Sequence, residues 1–322
     1  MKYKIVDYCW ELPEQFEMIQ ALKESCEFYY CLTSYKDWDP HQQPKPDNLH
    51  FITHYEEGRY DLAILHIDQE AAIPHHFKRR IFTEFNDAIT DIPKIVINHG
   101  LPNGKETIRA AIQELIGDNT MVVPSYQAAV YWGMGIPLIP GIDQAKWRPQ
   151  KKEPRVLTVL PGQEFDSYYN KDCLKAIGEC LYYSYGYILK CANYNVLKNS
   201  TPAGYRNYLE RSLLFLDTSL QTPMNRARTE AFLAGCCVIQ LKGACDMESW
   251  FTHGEDIMIV PDDPKKIAAL MADMLENRYD EAIRIGENGR KTALRYFDVE
   301  QYKNSWLHLF ENAIQSFNCV NT

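Results

Sequence analysis

A chain of 322 residues with 46% hydrophobic content is long enough for two domains, each with its own core. Its net charge of -9 excludes a surface that binds nucleic acid or anionic membrane over its whole extent, although a local basic cleft stays compatible with it. The ten cysteines lie mostly in apolar contexts ("YYCLT", "LKCAN", "AGCCVI") without paired metal-ligand spacing, and read as reduced core thiols of a cytoplasmic protein.

The opening "MKYKIVDYCW" turns acidic and polar after a strand-length run, which does not fit an export signal. Apolar stretches such as "LAILHI" fall far short of the ~20 residues of a membrane helix, so no integral membrane association is expected. The first half then alternates short apolar runs with helical segments. Strands are predicted at 3–10, 28–34, 60–68, 94–100, 119–125 and 136–142, and helices at 13–25, 75–90, 105–116 and 125–133. The polar stretch "KDWDPHQQPKPDNLH" reads as a loop; its "DWD" lies at no strand end, so no metal site is assigned.

A charged segment with two prolines, "DQAKWRPQKKEPR", marks a domain change near residues 143–154. A second alternating set follows, with strands in "RVLTVL", "GYILKCA", "SLLFLDTS", "CCVIQL" and "IMIVP". Helices are expected near 170–184, 203–211, 225–235, 264–277, 279–295 and 299–316. A βαβα order implies mostly parallel sheets covered by helices, with ligands beyond the carboxyl ends of the strands. The expected fold class is therefore α/β, two Rossmann-like domains facing across a cleft.

The chemistry concentrates in "LFLDTSLQTPMNRARTEAFLAGCCVI". A strand ends, a loop follows, and a helix begins near Asn225, whose free first-turn amides suit a phosphate. Arg226 adds a cation; Arg228, two steps on, cannot share its face. Glu230 is either an acidic residue favouring the helix dipole or a carboxylate for the vicinal hydroxyls of a sugar. In the first half, "VINHG" puts His99 at a strand end, while "HHFKRR" offers His75, Lys78 and Arg79 either to a phosphate-bearing acceptor or to solvent.

Residues 217–263 resemble the nucleotide-sugar-binding region of GT-B glycosyltransferases, particularly the retaining family 4. Glu230, "AFLAGCCVI", Gly243, Glu248 and "HGEDIMIVPDD" follow that family's second glutamate of an E-(seven residues)-E pair, A-x-G-x-P-V-I run, glycine-containing loop, a further glutamate and "lv-p-d" ending, with Cys237 where proline is usual. The first glutamate of the family's E-(seven residues)-E pair falls at Thr222, and Gln163 and Lys171 stand near its arginine and lysine. More loosely, the likeness spans residues 90–315, and the family's glycine-rich loop after the first strand is replaced by "YCWELPEQF".

The resemblance implies an acceptor-side domain at 1–148, a nucleotide-sugar domain at 149–298 and a closing helix at 299–322 packing back toward the first. It implies transfer of a hexose from a nucleoside diphosphate sugar, UDP-glucose or similar, to a hydroxyl acceptor, with retention and without metal or other cofactor. Gln163, Thr222, Asn225, Arg226 and Glu230 would bind the donor; Lys171 would stabilise the leaving diphosphate. His99 would touch the sugar or orient the acceptor hydroxyl, with general-base work as a further option. His75, Lys78 and Arg79 would bind an acceptor, a modified base in DNA being one alternative. A nucleotide-sugar isomerase and a non-catalytic nucleotide-sugar-binding module are the competing readings.

Overall fold

The computed structural model describes residues 2–33, 36–159, 170–191, 202–220 and 222–321. They form two compact units, Met1–Ile142 with Asp298–Thr322, and Asp143–Phe297.

In the first unit the chain runs β1 (Tyr3–Tyr8), α1 (Leu12–Ala21), β2 (Cys26–Cys31), β3 (Leu49–Ile52), β4 (Leu62–Ile67), α2 (Phe77–Ala88), β5 (Lys94–Asn98), α3 (Glu106–Ile116), β6 (Thr120–Val123), α4 (Tyr126–Trp132) and β7 (Ile136–Pro137). The seven strands pair in parallel in the order β3-β2-β1-β4-β5-β6-β7. Central β4, "LAILHI", is buried at every position, as a strand covered by helices on both faces must be. Strand order reverses between β1 and β4, and such a reversal opens a crevice at the carboxyl ends.

Three boundaries depart from the sequence reading. The region read as loop up to residue 50 contains the start of edge strand β3, held where Asn48 Nδ2 reaches the Ile19 and Cys26 carbonyls, each at 3.2 Å. Pairing with β2 decides its conformation against a polar local composition. Helix α1 stops at Ala21, because the amides of Ser25 and Cys26 turn back onto Leu22 O. Strand β7 is two residues long, since Pro137 and Pro140 lack the donors that would extend the ladder.

The second unit runs β8 (Glu153–Thr158), α5 (Lys171–Tyr185), β9 (Leu189–Cys191), α6 (Pro202–Arg211), β10 (Ser212–Asp217), α7 (Arg226–Leu233), β11 (Cys237–Leu241), α8 (Met247–Trp250), β12 (Met258–Val260), α9 (Pro264–Glu276) and α10 (Tyr279–Tyr296). Its five strands are parallel in the order β12-β11-β10-β8-β9, reversing between β8 and β10. After α10 the chain returns to the first unit as α11 (Val299–Asn321). The apolar stripe of that helix, Trp306, Leu309, Phe310 and Ala313, completes the core built on Ile5, Phe16, Phe28 and Leu49.

Helix α10 lies unusually close to the turn that ends α7. A methyl group on Gly286 would stand 2.5 Å from Gly235 O and 2.9 Å from the Cys236 carbonyl carbon, both rigid backbone atoms. Gly286→Ala is therefore expected to destabilise the second unit by about 1–3 kcal/mol, read as a lower denaturation midpoint at unchanged m-value. Among the described residues no helix is long and apolar enough to cross a membrane, and no group of three or more His, Cys, Asp or Glu side chains could hold a metal ion.

Candidate functional site

Strand β10 ends at Asp217, and residues 218–225 lead from it into α7, beyond the strand-order reversal of the second sheet. Asp217 organises this turn. Its Oδ1 accepts from Ser219 N at 2.9 Å and Asn225 Nδ2 at 3.0 Å, and its Oδ2 lies 3.3 Å from Arg228 Nη1. The same Arg228 nitrogen donates to Gln240 Oε1 at 2.8 Å, while Gln240 Nε2 donates to Ser219 O at 3.1 Å. Arg228 is only 1% exposed, so its charge belongs to the scaffold. Asn225 caps α7, its Oδ1 accepting from Ala227 N at 3.0 Å.

Arg226 and Glu230 stand one helical turn apart on α7, with Nε and Oε1 2.8 Å apart. The Glu230 side chain is 12% exposed, well below an ordinary helix-surface charge. Tyr205 is packed near the same carboxylate: burial, then the influence of Glu230, push its phenol well above the usual range and keep it protonated. Glu230 is thus an oriented carboxylate beside the β10–α7 turn. Thr222 is partly buried within that turn. Lys171 opens α5, behind Asn170, whose Nδ2 reaches Asp262 Oδ2 at 3.0 Å. Glu248 accepts from Gly243 N at 2.8 Å and so holds the loop after β11. Gln163 lies outside the described residues.

At the carboxyl ends of β1, β4 and β5 the first unit builds a second polar constellation. His99 Nε2 is 2.9 Å from His66 Nδ1, and His66 Nε2 is 2.8 Å from Asp7 Oδ1. On its other side His99 Nδ1 faces Glu14 Oε2, at the start of α1, at 3.4 Å. The Trp10 ring stacks on both imidazoles, 6.0 Å from His66 and 6.1 Å from His99. Burial pulls the His66 ring below its usual pKa against the pull of Asp7, which keeps it neutral. Burial also pulls on His99, but the hydrogen bond and charge of Glu14, with Glu11 and Asp68 beyond, outweigh it and raise that ring above its usual value.

The basic cluster at the start of α2 is divided. Lys78 is buried, ion-paired with Asp68 and Glu70, and lies 5.4 Å from the Trp10 ring centre. Arg79 Nη1 reaches Ala71 O at 3.5 Å, and His75 is exposed with φ 64°. Burial pushes the thiols of Cys9, Cys26, Cys31 and Cys173 up to about 12, which leaves them without nucleophilic character at neutral pH. Asp7, Glu14 and His66 carry no motif; their signal in the sequence is a charged or ring side chain near the carboxyl end of an otherwise apolar strand, or just after it.

No protein-family model and no curated protein matches this sequence. Solved structures do. The chain is similar to HepE of Anabaena in complex with UDP-glucose, at 14% identity and TM-score 0.68 over 96% of this chain and 100% of that one. It is similar to sucrose-phosphate synthase from Thermosynechococcus elongatus, at 12% identity and TM-score 0.70 over 98% and 100% of the two chains. A glycosyltransferase from Rickettsia africae matches at 12% identity and TM-score 0.64, over 97% and 99%. What is shared at these identities is the fold: this chain is a pair of Rossmann-like α/β units with parallel sheets, consistent with the GT-B architecture.

Proposed function

We propose that this chain is a glycosyltransferase that moves a hexose from a nucleoside diphosphate sugar, UDP-glucose or a close relative, to a hydroxyl acceptor. The observation that carries this reading is the Glu230 carboxylate, held by Arg226 at 2.8 Å beside a helix start at the strand-order reversal. A carboxylate so placed accepts from the two ribose hydroxyls while the first turn of α7 faces the diphosphate. The solved structures of the same fold that hold UDP and UDP-glucose support the choice of donor.

In the proposed reaction the bond from the anomeric carbon to the diphosphate breaks and a bond to the acceptor oxygen forms. Charge grows on the departing phosphate, and Lys171, Arg226 and the α7 amides are the groups that stabilise it, without requiring a metal. Retention, as the family resemblance implies, has the departing phosphate oxygen take the acceptor's proton. Glu14, which raises His99 above its usual pKa, favours the protonated ring, and that form has no lone pair to act as base. A nucleic-acid acceptor gains little from α2, where Asp68 and Glu70 already neutralise Lys78.

The test is incubation with UDP-, GDP- and ADP-sugars, followed by mass analysis of the products. Slow release of free hexose and nucleoside diphosphate is expected from one donor. An isomerised nucleotide-sugar would identify an isomerase, and binding without any product would identify a sensing module. Lys171→Ala is expected to lower kcat about 100-fold with little change in donor KM, since its charge acts chiefly as the bond breaks.

A further inference from the structure

We propose that Glu14 is the hydroxyl-binding group of the first unit, and that His99, His66 and Asp7 form its mount. The proposal rests on the transferase reading for the identity of the substrate, and on the direction of the protons for the role.

That direction is fixed from the buried end. The Asp7 carboxylate accepts from Tyr8 N at 2.6 Å and from Gln15 Nε2 at 3.2 Å. The Gln15 amide is itself oriented, its Oε1 accepting from Trp10 N at 2.8 Å and its Nε2 donating to Tyr8 O at 2.9 Å. His66 Nε2 lies 2.8 Å from a buried carboxylate oxygen and 3.1 Å from Gln15 Nε2, whose two hydrogens go to Asp7 and Tyr8 O, so it carries the proton toward Asp7. A neutral His66 then has its lone pair on Nδ1, so His99 Nε2 must donate to it. The remaining His99 nitrogen faces the Glu14 carboxylate, where a lone pair would repel and an N–H attracts. The arrangement therefore favours an imidazolium at His99, with Nε2 donating to His66 and Nδ1 facing the Glu14 carboxylate.

Exposure grades along this chain. The side chains of Asp7 and His66 are 0% exposed, that of His99 10% and that of Glu14 27%. A ligand arriving at the strand ends thus meets the carboxylate before the ring. A carboxylate facing an imidazolium suits accepting a hydrogen bond from a sugar hydroxyl rather than removing its proton. The groups that surround His99 are Glu14 and Glu11 beside α1, Asp68 after β4, and His66 with Asp7 behind it; Lys78 lies 5.4 Å from the centre of the Trp10 ring and is ion-paired with Asp68 and Glu70. The hydroxyl belongs either to the donor hexose or to the acceptor.

The experiment compares the full chain with Glu14→Gln, which keeps shape and removes charge. Imidazole titration by NMR reads His99: above the ordinary value in the parent, lower in the variant. A parent His99 that titrates at or below the ordinary value overturns the mount. Each protein is then titrated with UDP, with UDP-glucose and with glucose alone. Glu14→Gln is expected to leave UDP unchanged and to weaken one of the two sugar ligands about 10-fold or more. Weakening of UDP-glucose assigns the donor hexose, and weakening of glucose assigns the acceptor; weakening of neither overturns the proposal. Failure of UDP to bind the parent sinks the transferase reading by itself, and the glucose titration still decides Glu14.

Discussion

Replacing Arg228 by methionine is expected to destabilise the second unit by about 3–5 kcal/mol, the cost of leaving a buried carboxylate without its cation. Asp217 would keep two hydrogen-bond donors, Ser219 N and Asn225 Nδ2, but no compensating charge, at 3% exposure. Gln240 Oε1 would lose its donor in the same step. Urea denaturation followed through Trp147 and Trp250, both in this unit, measures the effect. Adding Asp217→Asn should recover part of the loss, because the orphaned charge is then gone. A variant as stable as the parent would remove the buried pair from the account of how the β10–α7 turn is held.

Glu230→Ala is expected to lower the affinity for UDP and for UDP-glucose together, by about 100-fold, with the fold retained. The magnitude follows from losing hydrogen bonds to two ribose hydroxyls, each worth about 1.5 kcal/mol, or about 3 kcal/mol together. Both ligands carry the ribose, so both should weaken, in contrast to the sugar-selective effect expected at position 14. The structural cost is small: Arg226, a quarter exposed, loses one ion pair, which amounts to about 1 kcal/mol or less. Calorimetric titration reads the affinity and circular dichroism reads the fold. Undiminished nucleotide affinity in a folded variant would take Glu230 out of the site.

Much of the architecture is written in one-dimensional pattern. Runs such as "LAILHI" and "SLLFLD", buried at every position, announce covered parallel strands, and the Pro and Gly punctuation separates them from helices. What the pattern does not carry is pairing. Strand β3 is four residues beside polar neighbours, and only its partner β2 makes it a strand. The strand orders, with their reversals beside β4 and β10, follow from packing of the helices and have no local signature.

The candidate site divides in the same way. Glu230 and Asn225 were legible because a loop-to-helix step after an apolar strand is a local motif. Lys78 was not, because "HHFKRR" displays its cations while Asp68 and Glu70, which neutralise one of them, belong to the preceding turn. The Asp7–His66–His99–Glu14 chain joins residues up to 92 positions apart in sequence, and a lone imidazole in an apolar run reads first as a core residue. Three-dimensional proximity is the only property that unites them.

Helix α11 gives the polypeptide an unusual timetable. Residues 143–297 are contiguous and can close as soon as they have left the ribosome. The first unit starts to emerge before residues 143–297, yet Trp306 and Phe310, which pack with Ile5 and Phe16, are translated only after that second unit. Until residues 299–321 follow, the first unit therefore displays an incomplete apolar face, and the unit begun earlier matures after the one begun later.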